Sequence, residues 1–323
     1  MMKGVFFSIG LICAIYTCTA QDYSAWTSKS PISAGRGFTS GAIVNGKIYI
    51  IGGFPDNYSV TASVEMYDPN SDTWTEMQLM PEARCAHATC AYKDKIYVFG
   101  GIAPNGYSSA KNNVYVYDPQ NNLWVERNEM PYEIAFCGIV VVNDTIYLLG
   151  GTRQMFEPPI SKVMAYQPET ETWAEKSSLP AASAFISACE MDGKIFAFGG
   201  GNENLVSYGF KSVQVYDTKT NRWEIRKDMK SSRMAAGICK ISDKIFLMGG
   251  ITDGLTVINS NDLYDPDTDS WSIKSSMREK RQSFFLDSIE GIIYAIGGSY
   301  PDPQNRSVPL IPALVEVYDY LLD

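Results

Sequence analysis

The chain has 323 residues, 45% of them hydrophobic and 20% charged, an ordinary globular balance that excludes a disordered polymer. Its formal net charge of −9 weighs against nucleic acid as a partner, because that affinity rests on Lys and Arg neutralising phosphates, and against general attraction to anionic membranes. The length suits two average domains or one large all-β domain.

In chain order, residues 1–20 read first as a secretory signal peptide. A short n-region ends at Lys3, the apolar run GVFFSIGLICAIY follows, and Cys18-Thr19-Ala20 supplies the small residues of a cleavage site before Gln21. The run is too short to span a bilayer, and no later segment offers a long uncharged stretch. The expectation is a mature chain of residues 21–323, secreted to the exterior or, in a bacterium, the periplasm. Acylation of Cys18 fits less well, since Tyr16 and Thr17 are not the small residues such a site favours.

Beyond residue 21 the chain repeats. Glycine pairs end apolar runs at 52–53, 100–101, 150–151, 199–200, 249–250 and 297–298, and the six tryptophans lie at 26, 74, 124, 173, 223 and 271. Each Trp precedes the next glycine pair by 26 residues, and Tyr67, Tyr117, Tyr166, Tyr216 and Tyr264 each precede a Trp by seven. Every unit reads as four short strands. In the first unit SGAIV (40–44) is followed by the turn Asn45-Gly46, where positive φ angles are tolerated. KIYIIGG (47–53) is apolar at odd and even positions alike and needs both faces buried, whereas VEMYD (64–68) alternates, with Glu65 opposite Val64 and Met66. A polar turn then leads to the Trp strand. Such units bury both faces only by stacking radially, which predicts an all-β, six-bladed β-propeller.

The sixth unit ends after Tyr318 without a Trp strand, while Trp26 stands ahead of the first unit with no earlier strands. Residues 22–30 are therefore expected to supply the outer strand of the last blade and remove the open edge. The pattern Arg–apolar strand–IY-x-x-GG–loop–YDP–turn–TW over 22–320 resembles the kelch repeat. Ile134 and Ser183 depart from it, standing where other units have Arg36, Arg84, Arg233 and Arg281, as does Gln167 in place of the usual Asp.

With the other intervals fixed, all length variation falls between the glycine pair and the Tyr, which are 15, 17, 16, 17, 15 and 21 residues apart around the ring. These loops leave the same face as the connections between blades, and the kelch resemblance implies that this face binds partners. Phe54, Tyr58, Tyr107, Arg153, Gln154, Asn202, Glu203, Asp253 and Tyr300 are its candidate contact residues. Arg233 and Arg281, with Arg226, Lys227, Lys230, Lys274, Arg278 and Lys280, suggest a basic arc on that face steering an acidic peptide or anionic glycan; the competing reading is that the repeat arginines stabilise the blade junctions. The expected protein is thus a monomeric secreted module that binds a protein or an anionic glycan, with no nucleic acid and no membrane span.

Chemistry is sparse. The single histidine, His87, excludes a two-histidine copper site and a His-rich zinc site, so neither a metal nor another cofactor is expected. Cys90, Cys189, Cys239 and Asp287 occupy one equivalent position, ten residues before their glycine pairs, where Ala42 and Val140 stand in other units. The cysteines read as small unbridged core residues; an acid at that position needs a partner. The alternative function is enzymatic. Some kelch propellers similar to this chain are sialic acid mutarotases, and Glu203, Asp253 and Arg153 supply the residue types such chemistry needs, although no spacing demands that they converge. Asn57, Asn143 and Asn305 lie in glycosylation sequons.

Overall fold

The computed structural model describes residues 25–55, 59–104, 109–154, 157–201, 209–301 and 309–323. The signal segment, Asn57, Tyr58, Tyr107, Asn202, Glu203 and Asn305 lie outside them. Outer strand β1 (Trp26–Ser28) opens the described chain. Blade one then comprises β2 (Ser40–Val44), β3 (Lys47–Ile51), β4 (Val64–Asp68) and β5 (Thr73–Glu76), and blade two β6 (Ala88–Tyr92), β7 (Lys95–Phe99), β8 (Val114–Asp118) and β9 (Leu123–Arg127). Blade three holds β10 (Gly138–Val142), β11 (Thr145–Leu149), β12 (Val163–Gln167) and β13 (Thr172–Lys176), and blade four β14 (Ser187–Met191), β15 (Lys194–Phe198), β16 (Val213–Asp217) and β17 (Arg222–Arg226). Blade five has β18 (Gly237–Ile241) and β19 (Lys244–Met248), a short loop hairpin of β20 (Ile251–Thr252) and β21 (Thr256–Val257), then β22 (Asn261–Asp265) and β23 (Ser270–Lys274). Blade six has β24 (Phe285–Ile289) and β25 (Ile292–Ile296), the hairpin β26 (Tyr300–Pro301) and β27 (Pro309–Leu310), and β28 (Val315–Asp319).

Each blade is a four-stranded antiparallel sheet, and the sixth has the order β1-β28-β25-β24, with Trp26 opposite Tyr318. The ring is therefore a six-bladed propeller closed by its N-terminal strand. The first strands β2, β6, β10, β14, β18 and β24 neighbour one another around the axis. The interior lies between blades: Tyr49 and Ile51 of blade one pack with Ile96, Val98 and Tyr117 of blade two, while Ile48, Ile50 and Tyr67 pack with Tyr294, Ile296 and Val317 of blade six. This is why the second strands are apolar on both faces.

Three sets of hydrogen bonds tie each blade to the next. The second glycine of each pair donates its N–H to the carbonyl at the repeat-arginine position of the following blade, from Gly53 to Arg84 (2.7 Å) around to Gly298 and Arg36 (2.8 Å). The first glycine must lack a side chain, because a Cβ on Gly52 would lie 2.4 Å from the Arg84 carbonyl oxygen. At the rim, the residue five after each core tyrosine accepts the N–H that follows the outer strand of the preceding blade. Asp72 takes Ser30, Asn122 takes Gln78, Glu171 takes Asn128, Asn221 takes Ser177, Asp269 takes Lys227 and Asp323 takes Ser275. Five Trp indoles, all but that of Trp173, donate to a carbonyl of the preceding blade as well.

The alternation in VEMYD does not place Glu65 in water. Glu65 is 1% exposed and paired with Arg36, and Glu316 is likewise buried against Arg281. The arginine departures are matched at the facing position: where Ile134 and Ser183 replace the arginine, the equivalents of Glu65 are Met164 and Gln214, whereas blade two keeps Arg84 with Tyr115 at that position and pairs it with Glu82 instead. Gln167, which replaces the usual Asp, donates to Thr145 (2.8 Å), and Thr145 stands where Lys47 and Lys95 pair with Asp68 and Asp118.

Candidate functional site

The loop face converges on six residues just ahead of the inner strands: Phe38, Ala86, Phe136, Phe185, Ala235 and Ser283. Each donates its backbone N–H to the carbonyl of the residue before it in the ring, Phe38 closing the circle onto Ser283, at 2.8–3.1 Å. All six sit at φ between 50° and 58°, a left-handed conformation that costs an ordinary residue about 1–2 kcal/mol and persists because the circle of bonds fixes it. Three of the six are phenylalanines meeting at the axis. Phe136 and Phe185 have ring centroids 4.4 Å apart, and Phe38 lies 5.8 Å from Phe136. All three are half-buried and surround a mouth pocket of about 120 Å³. They went unnoticed in the sequence, although the signal existed: each lies 14 residues before its glycine pair.

Of the expected contact residues, Phe54 is half-buried and packs on an apolar cluster under this mouth with Val60, Ile102 and Phe38. Arg153 and Gln154 are exposed beside it. Arg153 pairs with Glu133 at 3.0 Å, and the two line a polar pocket with Ser109 and Glu157 between blades two and three. Asp253 is exposed at the tip of the β20–β21 hairpin, where its N–H reaches the Ser232 hydroxyl (2.9 Å). Tyr300 is half-buried in the β26–β27 hairpin, opposite Leu310. Arg153 is thus engaged by Glu133, and Glu203, the third member of the mutarotase-type trio, lies outside the described residues.

Arg233 and Arg281 do not belong to the loop face. They are 4% and 1% exposed and ion-paired with Asp262 and Glu316, so they are internal struts of blades five and six. Burial pushes the Arg36 guanidinium down to about 10 and lowers Arg281, while it raises the Glu316 carboxyl against the pull of Arg281. The rest of the basic arc is partly spent as well: Arg226 pairs with Glu224, and Arg278 donates to the Trp26 carbonyl.

Below the mouth runs a central channel of about 420 Å³, lined by the inner strands. His87 beside its upper end is 5% exposed; burial first, then the neighbouring Arg84, lowers its pKa to about 3, so it is neutral. Cys85, Cys90, Cys137, Cys189 and Cys239 are free thiols, and burial pushes Cys189 up to about 12. Among the described residues no cluster of three or more His, Cys, Asp or Glu is placed to hold a metal ion. No helix among them is long and apolar enough to cross a membrane.

The geometry of the repeat agrees with the comparisons. Residues 13–200 match the KLHDC2/KLHL20/DRC7 Kelch-repeats domain model, and residues 182–230 and 232–278 match the Kelch motif. The chain belongs to the kelch-repeat family. Among solved structures, this kelch propeller superimposes on YjhT with a TM-score of 0.75 and 17% identity, over 90% of this chain and 95% of that one. Among curated proteins, it is 37% identical over 84 residues to Kelch-like protein terF of Aspergillus terreus, covering 24% of this chain and 18% of that protein. It is 32% identical over 81 residues to Beta-scruin of Limulus polyphemus (25% and 9%), and 32% identical over 92 residues to human Kelch-like protein 15 (27% and 15%). These matches span less than a fifth of each relative's length.

Proposed function

We propose that this protein is a secreted, monomeric kelch propeller that binds a protein or an anionic glycan through its loop face. The observation that carries this reading is the trio Phe38, Phe136 and Phe185. Three half-buried aromatic rings sit at the centre of the one face where the repeat varies in length, and apolar anchors ringed by polar loops dominate affinity in binding surfaces. Export follows from the character of residues 1–20, which resemble a cleaved signal peptide.

The test is recovery of partners by the secreted chain from its producing culture and from an array of sialylated and sulphated glycans. Phe136→Ser with Phe185→Ser, and separately Arg153→Ala with Tyr300→Ala, should abolish or strongly reduce one consistent partner while leaving the melting temperature near that of the parent. Equal recovery by both variants would move the binding surface to the blade edges or to the turn face, the opposite side of the ring where the turns between first and second strands such as Asn45-Gly46 lie. Retention of the protein inside the producing cell would refute the localisation.

A further inference from the structure

The channel is chemically lopsided. At the level of Asp287 and one residue further toward the turn face, blades one to three present Ala42, Ile43, Cys90, Ala91, Val140 and Val141. Blades four to six present Cys189, Glu190, Cys239, Lys240, Asp287 and, beside them, Ser288. Lys240 is spent on Glu190, which it binds across the junction of blades four and five; Glu190 also accepts the Gly193 N–H at 3.0 Å. The Lys240 and Glu190 side chains are 44% and 28% exposed, so the turn-face end of the channel is open to water. Asp287 lies one residue deeper along its strand. Its carboxylate accepts one hydrogen bond, from the Ser288 N–H (2.8 Å), and among the described residues it forms no ion pair.

A carboxylate in a confined channel with an apolar opposite wall calls for a positive charge. The three charged groups there leave one negative charge uncompensated. We propose that the central channel is a binding site for a small organic ammonium cation, with Asp287 as its counter-ion and the Ala42–Cys90–Val140 wall receiving its apolar part. A metal ion fits less well, since a hard cation takes six or more oxygen ligands and among the described residues Asp287 belongs to no cluster of His, Cys, Asp or Glu placed to hold one. The channel volume of about 420 Å³ is within the range of small-molecule sites. Entry is from the turn face, past Glu190 and Lys240, because the phenylalanine trio narrows the opposite mouth. The site is independent of any partner on the loop face.

Burial raises the Asp287 carboxyl to about 6, whereas a bound cation favours its ionised form. Affinity for an ammonium ion should therefore increase as pH rises through 6 and then level off. The other titratable groups facing Asp287 are Lys240 and Cys239 on β18, Glu190 and Cys189 on β14, and Tyr294 opposite it on β25. The two thiols are held protonated by burial, and burial raises the Tyr294 phenol too, so Asp287 sets the response around pH 6.

The test is a ligand-observed NMR titration of the full secreted chain with n-butylammonium, using n-butanol as the neutral isostere. The expected result is saturable n-butylammonium binding, weakened about tenfold or more by Asp287→Asn and strengthened several-fold by Lys240→Gln, which leaves Glu190 as a second uncompensated acid. n-Butanol binding should be indifferent to both changes. Absence of binding at tens of millimolar, or equal affinity in Asp287→Asn, would overturn the proposal. Should Asp287→Asn fail to fold, Lys240→Gln decides alone, and unchanged affinity in that variant overturns it.

Discussion

Trp26 and Tyr318 lie nearly 300 residues apart in sequence and stack at 5.0 Å with an interplanar angle of 38°. The five pairs made within continuous blades have the same form, from Tyr166–Trp173 at 4.6 Å to Tyr67–Trp74 at 5.0 Å. The seam is thus built like any other blade, and it is the best buried of them. Trp26 is fully buried, its indole donates to the Ser275 carbonyl and its own carbonyl accepts from Arg278, whereas the other five tryptophans are partly exposed. Trp26→Ala should cost about 3–5 kcal/mol, the range for deleting a buried large aromatic, and more than Trp124→Ala. Denaturant midpoints of the two variants measure this. Equal losses would mean that closing the seam contributes nothing beyond ordinary packing.

The buried Arg36–Glu65 pair makes a sharper prediction. Arg36→Ala strands a buried carboxylate and should destabilise by about 3–5 kcal/mol. The chain already contains an apolar solution at the same two positions in blade three, Ile134 with Met164. Arg36→Ile combined with Glu65→Met should therefore recover most of the stability lost in Arg36→Ala. A double variant as unstable as the single one would show that blade one depends on the charges and not merely on their mutual compensation.

Asp72 supplies the pH test. The hydrogen bond from the Tyr67 hydroxyl (2.6 Å) and then the Ser30 N–H (2.9 Å) hold its carboxyl below the ordinary 3.8 against the opposing effect of burial. A depressed carboxyl stabilises the fold above its unfolded pKa, and that contribution disappears as pH falls through the folded value, so the loss lies below about pH 4. Asn122 and Asn221 accept the same two bonds in blades two and four without a charge. Asp72→Asn should match the parent at pH 7 and lose less stability between pH 4 and pH 2. Acid-unfolding curves that coincide would remove Asp72 from the acid response.

The architecture was legible because each of its devices recurs six times. Glycine pairs, tyrosines and tryptophans at fixed spacing mark where blades meet, and a missing last Trp strand matched to a spare first one gives the closure. The site was less legible. The αL ring containing Phe38, Phe136 and Phe185 also has a fixed spacing, but its residue type changes from blade to blade, and what recurs is backbone conformation. Arg233 and Arg281 misled for a related reason. A charge in sequence reads as surface until its partner is identified, and Asp262 and Glu316 lie 29 and 35 residues further on. Asp287 is the intermediate case: its position could be counted, but its want of a cation appears only when the facing strands are assembled.

Blade three carries the last prediction. The Tyr166 hydroxyl and the Trp173 indole are the only members of their sixfold sets, among the described residues, with no hydrogen-bond partner. The cause is Glu171. Its carboxylate takes the Asn128 N–H (3.1 Å) and Arg127 (3.1 Å), as a side chain one methylene longer than Asp or Asn reaches across the rim rather than back to Tyr166. It also sits at φ 53°, a conformation that Asn and Asp tolerate better than Glu. Glu171→Asn should therefore restore the Tyr166 bond while retaining the bond to Asn128, as Asn122 does in blade two. The Arg127 pair that is lost lies on the surface and is worth at most about 1 kcal/mol. The recovered bond to a buried hydroxyl and the eased backbone should together outweigh it, raising stability by roughly 0.5–1.5 kcal/mol. A denaturant midpoint that falls in Glu171→Asn would show that the Arg127 pair, not the unpaired tyrosine, governs this junction.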